Sequence, residues 1–181
     1  MRRLILCLGL AACTETAVLP PEDARLLRNP TAPLGSQVDI RADQIAGDWV
    51  VRQAVPGVWP GRARQVSFRA EGADLVLLAL AVTCNADDLC EAAQFDVPYP
   101  AGLAGRWGDG RSFVAPGLEV PADLWVFWSD VDRRTLVLGD PQGRFVVILD
   151  RSETGGADRI TAARRILQGY GYDLDRLETI R

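Results

Sequence analysis

The chain has 181 residues, with 20 basic and 24 acidic side chains and a formal charge of −4. Every basic residue is arginine, and there is neither lysine nor histidine. From the chain's own residues this excludes Ser-His-Asp and Cys-His catalysis, His-ligated zinc or haem, Schiff-base lysines and a phosphate-cradling Walker lysine. Carboxylates remain as the acid–base groups. The arginines are scattered and no basic run exceeds two residues, so no nucleic-acid footprint is expected. No metal-ligand or cofactor motif is present either, and none is expected to be bound. Apolar content of 48% with five tryptophans predicts a folded core, and the length predicts one main domain.

The first residues read as a targeting segment. Arg2 and Arg3 form a positive region, and residues 4–10 form an apolar stretch too short to span a bilayer. Leu10-Ala11-Ala12-Cys13 follows, similar to a bacterial lipobox, in which small residues precede a cysteine that is acylated. Cys7 does not fit, because Leu6 precedes it. The expectation is a signal peptide over 1–12, with Cys13 as the lipid-attachment site. Losing Arg2 and Arg3 takes the charge from −4 to −6. Thr14, rather than an aspartate, follows Cys13, which implies the outer membrane and by default its periplasmic face. Several acyl chains on one residue give stable anchoring where one is marginal. Residues 13–36, with Pro20, Pro21, Pro30 and Pro33, read as a semi-extended tether.

The folded domain is expected over 37–181, and it retains Cys84 and Cys90. In an exported, oxidising setting they read as a disulfide closing the polar turn 85–89. A reactive dithiol is the alternative, although that chemistry usually has closer spacing.

Strand signals then dominate. Residues 50–55 follow Gly47 and Trp49. Val66, Phe68 and Ala70 alternate with Gln65, Ser67 and Arg69. Residues 75–82 form an apolar run that reads as a strand buried on both faces. Residues 91–97 come after the cysteine turn. A weaker pair, 103–107 and 111–114, flanks Gly108-Asp109-Gly110. Residues 124–128, 135–138 and 145–149 complete the series, with Asp140-Pro141-Gln142-Gly143 as a tight turn. Short connections predict antiparallel up-and-down order, and about eight strands suffice to close a barrel. From Asp158 the period becomes helical, with Ile160, Ala163 and Leu167 on one face and Gly169 just past the end. The fold class is therefore all-β: an eight-stranded antiparallel up-and-down barrel with one C-terminal helix packed outside.

Four stretches resemble the lipocalin family, and specifically its bacterial outer-membrane lipoproteins. Residues 38–49 end in Gly47-Asp48-Trp49, like the Gly-x-Trp that opens the first lipocalin strand. Residues 129–141, from Ser129-Asp130 to Gly139-Asp140-Pro141, resemble the F–G turn and G strand. Residues 145–152 end in Asp150-Arg151-Ser152, similar to the last strand with its arginine. Residues 171–177 resemble the tail of the bacterial members. Two positions depart from the pattern, since the family often has aromatics where this chain has Arg133 and Val147. The resemblance implies that Gly47, Trp49 and Arg151 close one end of the barrel, the guanidinium lying across the indole. It also implies a binding protein, not an enzyme, whose ligand is a small hydrophobic molecule such as a fatty acid (palmitate, for example) or lysophospholipid.

Alternation places Val66 and Phe68 inward, and Val51 shares a face with Trp49. Phe95 and one face of 125–128 complete the expected lining, with Trp125 and Phe127 as the chosen face and Val126 and Trp128 as the other. Side chains that simply fill the interior are the competing reading. Arg62 and Arg106 are candidates to meet an anionic headgroup. The outer side of 75–82 lacks polar residues, so homodimerisation or contact with the tether is a candidate there. Two further functions stay open: a structural envelope lipoprotein without a ligand, and an enzyme using Asp130 and Asp132 or Asp87 and Asp88. These acids sit in turn-like sequence, where they commonly serve local hydrogen bonds.

Overall fold

A computed structural model describes residues 26–61, 63–86 and 89–180. The signal peptide, Cys13 and most of the expected tether lie outside the described residues, as do Arg62, Asp87 and Asp88. Strands β1 (Gly47–Ala54), β2 (Gln65–Glu71), β3 (Asp74–Cys84) and β4 (Cys90–Tyr99) are long. They are followed by β5 (Arg106–Gly108), β6 (Phe113–Ala115), β7 (Leu118–Val120), β8 (Asp123–Ser129), β9 (Thr135–Gly139), β10 (Val146–Asp150) and β11 (Glu178–Thr179). Helix α1 (Ala42–Ile45) precedes β1, and α2 (Ala157–Gly169) follows β10.

The sheet order is β4-β3-β2-β1-β10-β9-β8-β5, antiparallel throughout, with β1 closing onto β10. These eight strands form a nearly closed barrel. Its seam lies between β4 and β5, which meet at one end through the Ala101–Trp107 bridge and the Gly108 amide on the Pro100 carbonyl, 2.9 Å. α1, Trp49 and Arg151 mark the closed end. The β1–β2 loop, the β3–β4 hairpin tip and the β9–β10 turn mark the open end.

Two apolar cores follow from the pleat. Inward residues such as Trp49, Phe68, Leu75, Leu77, Tyr99 and Leu124 form the first. The second lies outside the barrel, where Ala163 and Leu167 of α2 cover Val137, Val146 and Ile148. The expected helix is present, ending at Gly169, and the left-handed turn falls at Gly171 (φ 79°). A Cβ there would press on Ala32, so Gly171 answers both to its backbone angle and to a close approach.

Three expectations are corrected. Residues 103–107 and 111–114 do not pair with each other. β5 pairs with β8, whereas β6 pairs with β7 around Pro116-Gly117. Secondly, β3 is buried on both faces only near its start. Leu80 and Val82 are 63% and 51% exposed. Thirdly, packing begins before residue 37, inside the stretch expected as tether. Leu27 is fully buried, its amide donates to the Gly143 carbonyl at 2.7 Å, and Arg28 bridges to Tyr172. From there the chain runs down the outside to Gln37, whose amide donates to the Val126 carbonyl at 2.8 Å.

The Arg133 departure has a local account. Its backbone sits at φ 57°, and its guanidinium reaches Asp39 at 2.9 Å. The arginine thus fastens the β8–β9 turn to the segment entering α1, by an ion pair rather than by ring packing.

Candidate functional site

The closed end is built from three residues. Gly47 takes φ 93°, and a Cβ there would come 3.2 Å from Nη1 of Arg151. Trp49 is buried, its indole N–H donating to the Ile45 carbonyl at 2.7 Å. Arg151 lies over the indole, its Cζ 3.6 Å from the ring centroid. Its two terminal nitrogens donate to the Asp48 and Ala46 carbonyls, each at 2.8 Å. Burial pulls the guanidinium pKa below its usual value and Asp48 opposes that, but an arginine stays charged throughout the physiological range. All of these interactions hold chain together. They offer nothing to a substrate.

The lower interior is filled. Trp49, Leu75, Tyr99, Leu124, Leu136 and Leu138 are almost wholly buried there, so the close-packed alternative holds for that half. Space remains near the open end. Pairing between β2 and β3 stops at Ser67 and Leu78, although β3 continues to Cys84. The β6–β7 hairpin lies across the opening. A Cβ at Gly117 would meet the Val82 carbonyl and Thr83, and Phe113 packs against Phe95 with ring centroids 5.3 Å apart. Beneath this hairpin, between the β1–β2 loop and upper β3, is a solvent-open cleft of about 830 Å3. Val66, Leu77 and Ala79 lie beneath it but are buried in the core, Trp59 and Leu118 flank it half-buried, and Leu80 and Val82 form its exposed outer lip.

The candidate lining residues divide accordingly. Val66 lines the cleft. Val51 and Phe68 face inward but belong to the packed interior. Phe95 faces inward under the β6–β7 hairpin. Trp125 and Phe127 are on the outside, contrary to expectation. Leu124 and Val126 point in while Trp125 and Phe127 point out, and a bulge between Val126 and Trp128 turns Trp128 outward as well. Phe127 packs edge-on against Tyr170, and a Cβ at Gly139 would collide with its ring. Arg106 is spoken for elsewhere. It stacks on Trp125 at 3.8 Å and donates to the Ser36 hydroxyl at 2.6 Å.

Sequence reading missed Trp59, Arg64, Leu77, Ala79 and Leu118. Trp59 sits in the Gly- and Pro-rich stretch 56–61, where a lone aromatic was the available signal. Leu77 and Ala79 were hidden in an all-apolar run, which has no alternation to report a face. Arg64 is exposed on the cleft, just ahead of β2.

Cys84 and Cys90 are disulfide-bonded at the end of the β3–β4 hairpin, in register with each other. Of the carboxylates considered for catalysis, the described pair Asp130 and Asp132 is engaged in its own turn. Asp130 accepts from the Arg134 and Thr135 amides at 2.7 and 2.6 Å, and Asp132 pairs with Arg134 at 2.9 Å. No cluster of three or more metal-ligating acids or cysteines occurs among the described residues. No protein-family model matches the chain, and neither does any curated protein.

Proposed function

We propose that the protein is a lipocalin-like carrier of a small hydrophobic ligand, held at the periplasmic face of a bacterial outer membrane through acylated Cys13. The observation that carries the ligand reading is the cleft of about 830 Å3, lined mostly by apolar side chains. Binding clefts for small molecules are concave, mostly apolar and carry few polar groups, and this one fits that description. The anchor rests on the lipobox-like Leu10-Ala11-Ala12-Cys13.

The test of the ligand reading uses delipidated protein and a fluorescent fatty acid. Saturable binding, displaced by unlabelled palmitate, is expected, and native mass spectrometry of protein purified from membranes should show a retained lipid. Leu80→Ser with Val82→Ser removes the exposed apolar lip and should weaken binding several-fold while the thermal midpoint stays within a few degrees. No saturable binding across lipid classes would overturn the reading. The anchor is tested separately by metabolic labelling with an alkynyl fatty acid, which Cys13→Ser should abolish.

A further inference from the structure

We propose that two copies of this chain join edge to edge through the open side of β4, in antiparallel register about a two-fold axis at Ala93. The join goes beyond the carrier reading and does not depend on it.

β4 is the last strand of the sheet on its side of the seam, and three contacts fix which way its backbone groups point. The Leu89 carbonyl accepts the Asn85 amide at 3.0 Å where the β3–β4 ladder closes, so odd-numbered residues of β4 turn their backbone groups toward β3. Pro98, which has no amide, occupies an even position. The Pro100 carbonyl, also even, accepts the Gly108 amide from across the seam. Even-numbered residues therefore present N–H and C=O to the open side. For Ala92, Gln94 and Asp96 these groups meet no partner among the described residues. Sheet edges are ordinarily blunted by a bulge, a central proline, a lysine or short length. β4 runs for ten residues, pairs with β3 without a register shift, and has its one proline near the β5 end. Residues 91–94 are all exposed.

A second copy of the same strand fits this edge. Antiparallel pairing about Ala93 sets Ala92 against the partner's Gln94, and Gln94 against the partner's Ala92. Both pairs exchange N–H···O bonds in each direction. Ala93 meets the partner's Ala93, where small side chains let the backbones approach. Glu91 falls opposite the partner's Phe95, and Asp96 is already paired with Arg69 at 2.9 Å, so acid does not face acid across the join. Centring on Ala93 also keeps the join away from Pro100, where β5 holds the edge. On the outer face, Leu80 is in register with Gln94 and Val82 with Ala92. Each row then continues from Val82 through Ala92 and the partner's Gln94 to the partner's Leu80. The exposed aliphatic residues of β3 thereby become one surface across both copies. The axis points the two open ends in opposite directions. From Cys13 to Leu26 an extended chain covers up to about 45 Å, whereas the 11 residues of β3 span about 36 Å. Both copies can therefore be tethered in one leaflet.

The experiment places single cysteines along β4 of the full chain in its own membrane and oxidises with copper phenanthroline. Ala93 and the partner's Ala93 form a non-hydrogen-bonded pair with Cα atoms about 4.5 Å apart, within disulfide reach. Ala93→Cys should give a cross-linked dimer of twice the mass. Glu91→Cys should cross-link about tenfold less, because the two copies of that position lie about 13 Å apart along the strands. It stands closer to Cys90, so it also reports shuffling of the native disulfide. In mild detergent, light scattering should give a dimer whose dissociation constant rises about tenfold in Gln94→Pro. The Gln94 amide is not part of the β3 ladder, so this proline removes an edge donor and the thermal midpoint should stay within a few degrees. Ala92→Pro repeats the test should the first variant fail to fold. Equal cross-linking at positions 91 and 93, a dimer that survives both prolines, or a monomer at every concentration overturns the proposal. An Ala93→Cys adduct of any other mass assigns the edge to a strand of a different protein and also overturns it.

Discussion

Arg151 combines a stacking contact with two carbonyl bonds on the same short segment, and a lysine cannot reproduce that set. The planar fork reaches Ala46 and Asp48 together while its face covers Trp49. Arg151→Lys is expected to lose about 1–2 kcal/mol, and Arg151→Ala about 2–3 kcal/mol, as read by urea unfolding. Asp150, next along, is buried at the end of β10 and accepts from the Thr135 hydroxyl at 2.7 Å and from Arg159 at 2.9 Å. Burial pushes its carboxyl upward. The Thr135 hydroxyl, Arg159 and the Ser152 amide outweigh that and hold it below the usual range. A lowered folded pKa means that the contribution is complete above the unfolded value near pH 4 and is lost as pH falls through the folded one. Denaturant midpoints should fall below about pH 4 in the native chain, and Asp150→Asn should flatten that acid limb while lowering stability at pH 7 by about 1–2 kcal/mol. Tyr172 supplies a contrary case. Its hydroxyl is buried without a hydrogen-bond partner among the described residues, so Tyr172→Phe is expected to be neutral or stabilising by up to about 1 kcal/mol. A clear loss in thermal midpoint would refute that.

At the scale of elements, the β3–β4 hairpin is divided. Its lower half belongs to the barrel wall, whereas its tip carries the disulfide among exposed residues. Cross-linking so short a loop contributes about 2 kcal/mol through chain entropy. Cys84→Ser with Cys90→Ser should therefore speed amide hydrogen exchange in the upper hairpin and leave β9 and β10 protected, because those strands are wholly buried. The same elements show what was legible in the sequence. β2 was readable because its apolar residues strictly alternate. Gly47, Trp49 and Arg151 were expected as a set through the resemblance to lipocalins, not from their own chemistry. The face of β8 was not readable, since residues 124–128 are apolar throughout and carry no alternation to report a face, and the extra residue at Phe127 breaks the period after it. The pairing of β6 was misread because Gly108-Asp109-Gly110 has turn chemistry as good as that of Pro116-Gly117. The cleft escaped because strand ends, not residue types, create it.

For the whole molecule, the two cores set a pH window. Tyr99 is buried with its hydroxyl on the Pro121 carbonyl at 2.7 Å, and burial, with Asp123 adding to it, raises its pKa. Burial raises that of Tyr172 too, with Asp140 adding and Arg28 opposing. A raised folded value means that stability is complete below the unfolded tyrosine pKa near 10 and is lost as pH climbs beyond it. Together with the acid limb of Asp150, a plateau from about pH 5 to 9 is expected, measurable as chemical midpoints across the range. One core lies within the barrel and the other beneath α2, but they share the two faces of β9 and β10. Those strands tie the inner and outer layers into one unfolding unit, so circular dichroism and tryptophan fluorescence should give coincident transitions.

The outer course of residues 26–36 also fixes where the leash joins the barrel. Leu27 is fastened beside Gly143, at the open end, before the chain descends to α1. Thirteen peptide steps separate Cys13 from Leu26, and a fully extended chain covers at most about 45 Å in that distance. With Cys13 acylated as proposed, the leash joins the barrel at its open end, opposite the plugged one. A pull along that leash is borne first by the Leu27 and Arg28 contacts with Gly143 and Tyr172, leaving the Trp49 plug unloaded.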